Sequence, residues 1–202
     1  MKTNRHLVVF ARRPDLGLVK TRLAADIGLV AATRFYRQTS AAVMNRLGRD
    51  NRWRCWAAVT PATAIHGHRF WPRVFEPIAQ GTGNLGARMG HVLGKLPPGP
   101  AVIIGTDVPA IRPRHIESAF RALGDHDAVF GPSGDGGYWL VGARRSPHIP
   151  DLFSGVRWSS RHTLADSLLK LEGQGVKVAL IEELADIDTG DDYHRWVNQD
   201  VL

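Results

Sequence analysis

Three stretches of this chain combine residue types and spacings that can do chemistry. The first is Phe10-Ala11-Arg12-Arg13-Pro14-Asp15-Leu16-Gly17-Leu18-Val19-Lys20-Thr21-Arg22-Leu23. A loop with Gly and Pro that leads into a helix start presents backbone N–H groups to a phosphate, and Lys20 and Arg22 add positive charge. The Gly-Lys-Thr/Ser of a Walker A loop is missing, and an ordinary basic loop is the plain alternative. The second stretch is Gly105-Thr106-Asp107-Val108-Pro109. A carboxylate just past a buried strand is well placed for Mg²⁺, which takes one or two carboxylates plus ligand phosphates. Capping of the following turn is the plain use of Asp107. The third is Asp186-Ile187-Asp188-Thr189-Gly190-Asp191-Asp192. A helix N-cap explains one aspartate near Gly190 and leaves the rest of the cluster over.

These stretches need a frame that holds them together. Leu7 to Ala11 are apolar and precede Pro14 and Gly17, which predicts a strand over 6–11 followed by a loop. Helices are predicted over 19–26 and 30–47, with Gly28 and Gly48 as stops. Strands are predicted over 53–59, 73–78 and 101–104, the last being the plainest buried run. A helix over 84–95 separates the latter two, and Pro113 opens another over 113–123. Two strand-like runs, 127–130 and 138–141, bracket Gly131-Pro132-Ser133-Gly134-Asp135-Gly136-Gly137. A helix over 160–171, a strand over 176–181 and a helix from Asp191 finish the order. Alternating strands and helices predict an α/β fold on a mostly parallel sheet, mixed if the strands around residues 127–141 pair antiparallel. No repeat, low-complexity tract or linker divides residues 1–202, so a single domain is expected. In such a fold ligands bind beyond the carboxyl ends of the strands, where all three stretches fall.

Composition narrows the function classes. At 202 residues and 44% hydrophobic content the chain can form a sizeable core. Its one cysteine, Cys55, excludes an intramolecular disulfide and a multi-cysteine zinc site, and is expected to be an inert buried thiol. No apolar run reaches the roughly 18 residues of a membrane span, and the basic start is too short for a secretory signal, so a cytoplasmic protein without membrane partners is expected. The net charge of +7 is unevenly placed. Residues 1–54 carry twelve Lys and Arg against three Asp, while residues 182–202 are acidic. That polarity suggests an anionic ligand near the front and a cation near the tail. No basic helix or aromatic-and-basic strand accompanies the excess, so nucleic acid is not the expected partner. His66-Gly67-His68 reads as a surface loop, and the six tryptophans as core and pocket wall.

The segment 10–23 resembles the opening signature of the DUF2064 family, also called selenodomain-associated transferase 1. Four further segments agree in order: Gln80 through Gly86-Ala87-Arg88-Met89; Gly105-Thr106-Asp107-Val108-Pro109; Gly131-Pro132 with Asp135-Gly136-Gly137-Tyr138; and Trp158-Ser159-Ser160 leading to Asp186-Ile187-Asp188-Thr189. The family is related to phospholactate and molybdopterin guanylyltransferases. The resemblance implies a GT-A, nucleotide-diphospho-sugar transferase fold: a Rossmann-like three-layer αβα unit that binds a nucleotide with Mg²⁺ or Mn²⁺. It implies phosphate contacts from Lys20 and Arg22, with Arg12 and Gly17 in the same loop. It implies a nucleotide-bordering loop holding Gln80, Gly83, Asn84, Gly86 and Arg88, and metal ligands Asp107 and Asp188. Where the family usually has Gly-Asp-Leu-Gly, this chain has Gly83-Asn84-Leu85-Gly86, so any role that needs a carboxylate there is lost.

Two reactions fit these parts. Glycosyl transfer from a nucleotide sugar to a small-molecule acceptor is the reading the family label favours, and an inverting version needs a base, for which Asp135 is the candidate. A turn residue before Gly136 is the plain alternative for Asp135. Nucleotidyl transfer would instead join a nucleoside triphosphate to a phosphorylated small molecule and release pyrophosphate, with Lys20, Arg22 and the metal offsetting charge. A nucleotide-sensing module without turnover would not need two metal carboxylates. The run Gly81-Thr82-Gly83-Asn84-Leu85-Gly86 also matches a dinucleotide fingerprint, but Pro77 makes the segment before it a poor central strand, which counts against an NAD(P)-dependent oxidoreductase. Base identity, acceptor and oligomeric state are not readable from the sequence.

Overall fold

The computed structural model describes residues 4–66 and 70–199. Among these, strands β1 His6–Arg12, β2 Arg54–Thr60, β3 Glu76–Ala79, β4 Ala101–Ile104, β5 Ala128–Pro132, β6 Tyr138–Ala143 and β7 Val178–Leu180 form one sheet in the order β3-β2-β1-β4-β6-β5-β7. β6 runs antiparallel to both β4 and β5, and every other pairing is parallel. The expected mixed sheet is therefore present, with the strand after the Gly-rich loop as its antiparallel member.

Helices α1 Thr21–Ile27, α2 Leu29–Gly48, α3 Leu85–Lys95, α4 Pro113–Asp125, α5 Thr163–Gly173 and α6 Gly190–Gln199 cover the sheet and its rim. The strand period of two sorts side chains to opposite faces. Leu7 and Val9 of β1 pack with Val43, Met44 and Leu47 of α2 and with Ile116 and Phe120 of α4. Val8 packs on the other face with Met89, Val92 and Leu93 of α3, in a cluster that includes Leu171 of α5. Both faces are covered, which is why β4 reads Ala-Val-Ile-Ile without a polar residue and is wholly buried. A smaller cluster, Leu23, Ala32, Phe35 and Ile187, ties α1 and α2 to the segment before α6. No helix among the described residues is long and apolar enough to cross a membrane.

The elements match the expected order, with shifted ends and one addition, a 3₁₀ turn over Ala62–His66. The first helix begins at Thr21 rather than 19, because Lys20 takes the left-handed conformation (φ 48°, ψ 48°) just ahead of it. The strand expected over 73–78 pairs only from Glu76 to Ala79, and it lies at the sheet edge, where Pro77 can forgo a ladder donor. The helix expected from 160 starts at Thr163, since Ser160 and Thr163 hydroxyls donate to the Arg157 carbonyl and close a turn instead. Cys55 is 3% exposed and burial pushes its thiol up to about 12, which leaves it protonated and unreactive.

Candidate functional site

The chain builds β1, β2 and β3 in one direction along the sheet, then crosses back to place β4 on the other side of β1. That reversal opens a crevice beyond the carboxyl ends of β1 and β4, the place where open α/β sheets bind ligands. A cavity of about 510 Å³ lies there. Arg12, Lys20, Arg22, Gln80, Arg88, Asp107 and Asp188 all line it, drawn from four separate segments of sequence. Phe10, Leu85, Met89 and Ile104 supply apolar wall. A cavity of this size with few convergent polar groups suits a ligand with an apolar and an anionic part.

Lys20 is the centre of the arrangement. Its left-handed backbone aims the side chain inward, where only 6% of it is exposed. Nζ lies 2.9 Å from Asp107 Oδ1 and 2.6 Å from Asp188 Oδ1, and donates to the Ile187 carbonyl at 2.7 Å. Burial alone would lower its pKa; the Asp107 and Asp188 charges outweigh that and hold it above the usual lysine value. The two acids are brought together by the backbone as well, for Ile187 N donates to the Asp107 carbonyl at 3.2 Å. Two hard oxygen donors thus converge on one cation, here an ammonium. The same donor set fits a divalent ion that completes its shell with ligand phosphates.

The acidic run divides its labour. Asp192 Oδ2 accepts from Asp188 N, Thr189 N and the Thr189 hydroxyl, which fixes the start of α6. Asp26 receives Gly190 N at 2.7 Å. Thr189 and Asp192 thus cap α6 reciprocally, the Thr189 hydroxyl also accepting from Asp192 N, and Asp188 is left to face Lys20 and, at 3.5 Å, Arg22.

Gln80 and Arg88 form the opposite wall. Gln80 is 4% exposed; its amide donates to the Ala58 and Ala11 carbonyls, and its Oε1 accepts from Arg88. Burial first, and then the neighbouring Arg12 charge, depress the Arg88 pKa. The Arg88 Nε is buried and donates to nothing among the described residues. Arg12, solvent-exposed, makes no ion pair among the described residues either, so two guanidinium groups near each other present positive charge to this side of the cavity.

The other sequence-predicted residues are placed elsewhere. Asn84 caps α3 by accepting from Ala87 N at 2.9 Å, a task an amide does as well as a carboxylate. Gly17, Gly83 and Gly86 do not line the cavity. Gly83 sits at φ +93° in the turn before α3, and Gly86 packs where an added Cβ would lie 2.3 Å from Trp158 Cζ2. Gly86→Ala is accordingly expected to cost about 1–3 kcal/mol through overpacking against the indole. A urea midpoint unchanged from wild type would show that α3 can shift at no cost. The Gly81–Gly86 run follows the edge strand β3, and the next strand, β4, is separated from it by β2 and β1, so it does not form the adjacent βαβ unit of a dinucleotide site.

Asp135 lines a second cavity of about 190 Å³, which shares Leu85, Gly105, Asp107, Tyr138 and Trp139 with the first. Its Oδ1 accepts from the Ser133 hydroxyl and from Gly137 N, so it also holds the turn from β5 to β6. Asp186 lines the same cavity, and burial, then the charges of Asp188 and Asp135, raise its pKa. Tyr36, Thr106, Trp139, Trp158 and Asp186 are site residues that sequence reasoning did not single out. Tyr36 OH clamps the Arg12 backbone, accepting from its N–H and donating to its carbonyl. Thr106, Trp158 and Asp186 lie in segments that carry the family resemblance and the tryptophans read as pocket wall, so of these five only Tyr36 carries no signal in the sequence. His66 ends the 3₁₀ turn, and Gly67 and His68 lie outside the described residues.

Comparison with known proteins gives this geometry relatives. A family model described as "Uncharacterized protein conserved in bacteria (DUF2064)" matches residues 43–160. A 2-phospho-L-lactate guanylyltransferase of Methanopyrus kandleri is 32% identical over 100 residues, covering 48% of this chain and 50% of that protein. The chain thus spans about half the length of this curated relative. A candidate nucleotide-diphospho-sugar transferase of Desulfovibrio desulfuricans G20 superposes with a TM-score of 0.88 at 26% identity, over 98% of this chain and 88% of the other. Rv0371c of Mycobacterium tuberculosis, solved with manganese, superposes at 0.53 and 16% identity, over 98% of this chain and 100% of that one, a likeness of fold alone. The fold is that of nucleotidyltransferases and nucleotide-diphospho-sugar transferases.

Proposed function

The chain belongs to the DUF2064 family, and from that premise we propose that it is a divalent-metal-dependent transferase acting on a nucleotide-activated donor, most naturally a nucleotide sugar whose glycosyl group passes to a small acceptor. The observation that carries the reading is the convergence of Asp107 and Asp188 on one cation inside a cavity whose far wall holds the anion-seeking Arg12 and Arg88. Asp107 and Asp188 would hold Mg²⁺ or Mn²⁺, which supplies charge neutralisation on a leaving diphosphate. Lys20 and Arg22 act on the same negative charge, and it is greatest when the donor bond has broken, so their attraction lowers the barrier rather than merely binding substrate. Asp135, one cavity further on, is the group to take the proton of an acceptor hydroxyl.

Nucleotidyl transfer is the second reading, favoured by the guanylyltransferase relative. It uses the same cations and acids, with pyrophosphate rather than a nucleoside diphosphate departing. A thermal-shift panel of nucleoside triphosphates, nucleotide sugars and NAD(P), each with and without Mg²⁺ or Mn²⁺, tests the proposal. A ligand bound only by the native state at a hundred times its Kd adds about 2.7 kcal/mol of stability. At least one nucleotide or nucleotide sugar should raise the melting point, and more so with the metal present. Stabilisation by NAD(P) that EDTA leaves undisturbed would sink the transferase reading.

A further inference from the structure

Resting on that reading, we infer that the second cavity takes an acceptor that carries hydroxyl or amino groups and no phosphate. The cavity opens beside the first and shares Asp107, Tyr138 and Trp139 with it, so its occupant would lie against the donor. Its walls are aromatic, with Trp158 facing Tyr138 and Trp139 nearby, the surface on which sugar-like rings and ammonium groups pack. No Lys, Arg or His lines it among the described residues.

The charged hydrogen-bonding capacity left inside it is that of acceptors, beside two neutral donors, the Ser159 hydroxyl and the Trp158 indole N–H. The Ser133 hydroxyl donates to Asp135, and those of Ser160 and Thr163 donate to backbone carbonyls. The amides that open α5 are committed as well: Thr163 N donates to Ser160 O, and Leu164 N to Gly136 O. The helix N-terminus therefore offers an anion little. Nearby Arg157 is bound to Asp166 through both ends of its guanidinium. The charged groups that remain open are Asp135 Oδ2 and the carboxylate of Asp186, neither of which receives a hydrogen bond from another described residue. A ligand must bring donors to satisfy them. An ionised phosphate brings only acceptors and a charge that both carboxylates repel, so the pocket discriminates against it by repulsion.

Three hexoses that differ mainly in charge test this: glucosamine, glucose and glucose 6-phosphate, titrated by ligand-observed NMR onto the protein with Mg²⁺, first without nucleotide and then with the nucleotide that gives the largest thermal shift. Affinity should fall in that order, with at least tenfold between the first and the last. Asp135→Asn with Asp186→Asn keeps side-chain size and the turn hydrogen bonds while removing both charges. In that variant the spread should shrink to threefold or less. Glucose 6-phosphate bound as tightly as glucosamine, a spread that persists in the variant, or no hexose bound at all would each overturn the inference. Nucleotide affinity is measured separately by calorimetry on the same samples. Failure there, with the hexose order intact, would remove the transferase reading and leave the character of the cavity standing.

Discussion

Lys20→Met is expected to weaken binding of a nucleoside di- or triphosphate by tenfold or more while leaving the bare nucleoside unaffected. A charge-assisted hydrogen bond contributes about 1.5–3 kcal/mol, and each 1.4 kcal/mol is a factor of ten. The same change should raise the affinity for Mn²⁺ alone. In the described conformation Nζ holds both Asp107 and Asp188, so any divalent ion must compete with an ammonium for the two carboxylates. On the proposed reading Lys20 would turn from those acids to the donor phosphates once a metal engages the carboxylates, and methionine would remove both the competition and the phosphate contact. Opposite signs for metal and nucleotide are the mark of this arrangement. The acids are 46% and 37% exposed, so water screens their lost partner and stability should fall by only about 1 kcal/mol. Arg22→Met should follow in the same direction more weakly, since Arg22 is 72% exposed and reaches Asp188 only at 3.5 Å. Calorimetry of Mn²⁺, nucleoside and nucleotide on each variant reads all of these. Equal weakening of nucleoside and nucleotide would point to a folding defect and leave Lys20 without a phosphate role.

Much of this site was legible because strand ends and loop chemistry are local. The apolar run at residues 101–104 fixed where Asp107 would emerge, and the Gly- and Pro-rich loop before Lys20 announced a backbone built to turn. What the sequence withheld was pairing across the fold. Nothing near Lys20 foretells that its partners are Asp107 and Asp188, 87 and 168 residues away, because that contact depends on the order in which strands enter the sheet. The same holds for Gln80, whose side chain spends its hydrogen bonds on β1 and β2 carbonyls and on Arg88, bracing the guanidinium wall from within.

Residues with two plausible uses were the other difficulty. Asn84, Asp135 and Asp192 are of the types that cap helices and hold turns, and each does so here. Sequence alone does not say whether such a residue also faces a cavity. Asp135 does both, spending one oxygen on the turn and presenting the other, whereas Asn84 lines a separate groove between α3 and Trp158 and not the first cavity. The glycines divide in the same way. Gly86 is needed for close packing on Trp158 rather than for approach to a ligand, a distinction that only the position of the indole reveals.

Asp107→Asn is expected to abolish the metal-dependent part of nucleotide affinity, lowering it to the level measured in EDTA, a loss of at least tenfold, while the fold stays intact. The substitution keeps the shape and hydrogen bonding of the side chain but removes the charge that a hard cation requires. The fold should survive because the structural bond at this position is a backbone one, Ile187 N to the Asp107 carbonyl, which asparagine retains. The carboxylate itself has Lys20 as its ion-pair partner and caps no turn among the described residues. Lys20 keeps Asp188 and the Ile187 carbonyl, so it should remain buried, with its pKa drawn down towards the usual value as one of two raising charges is lost. Asp188→Asn offers the matched comparison, since it removes the shorter of the two contacts to Lys20. If the acids act as one ligand pair, each single variant should lose nearly all the metal effect and the double variant little more, because one remaining carboxylate cannot complete the shell. Undiminished affinity in Asp107→Asn with Mn²⁺ present would make Asp107 a counter-ion for Lys20 and nothing else, and the proposed metal site would be wrong.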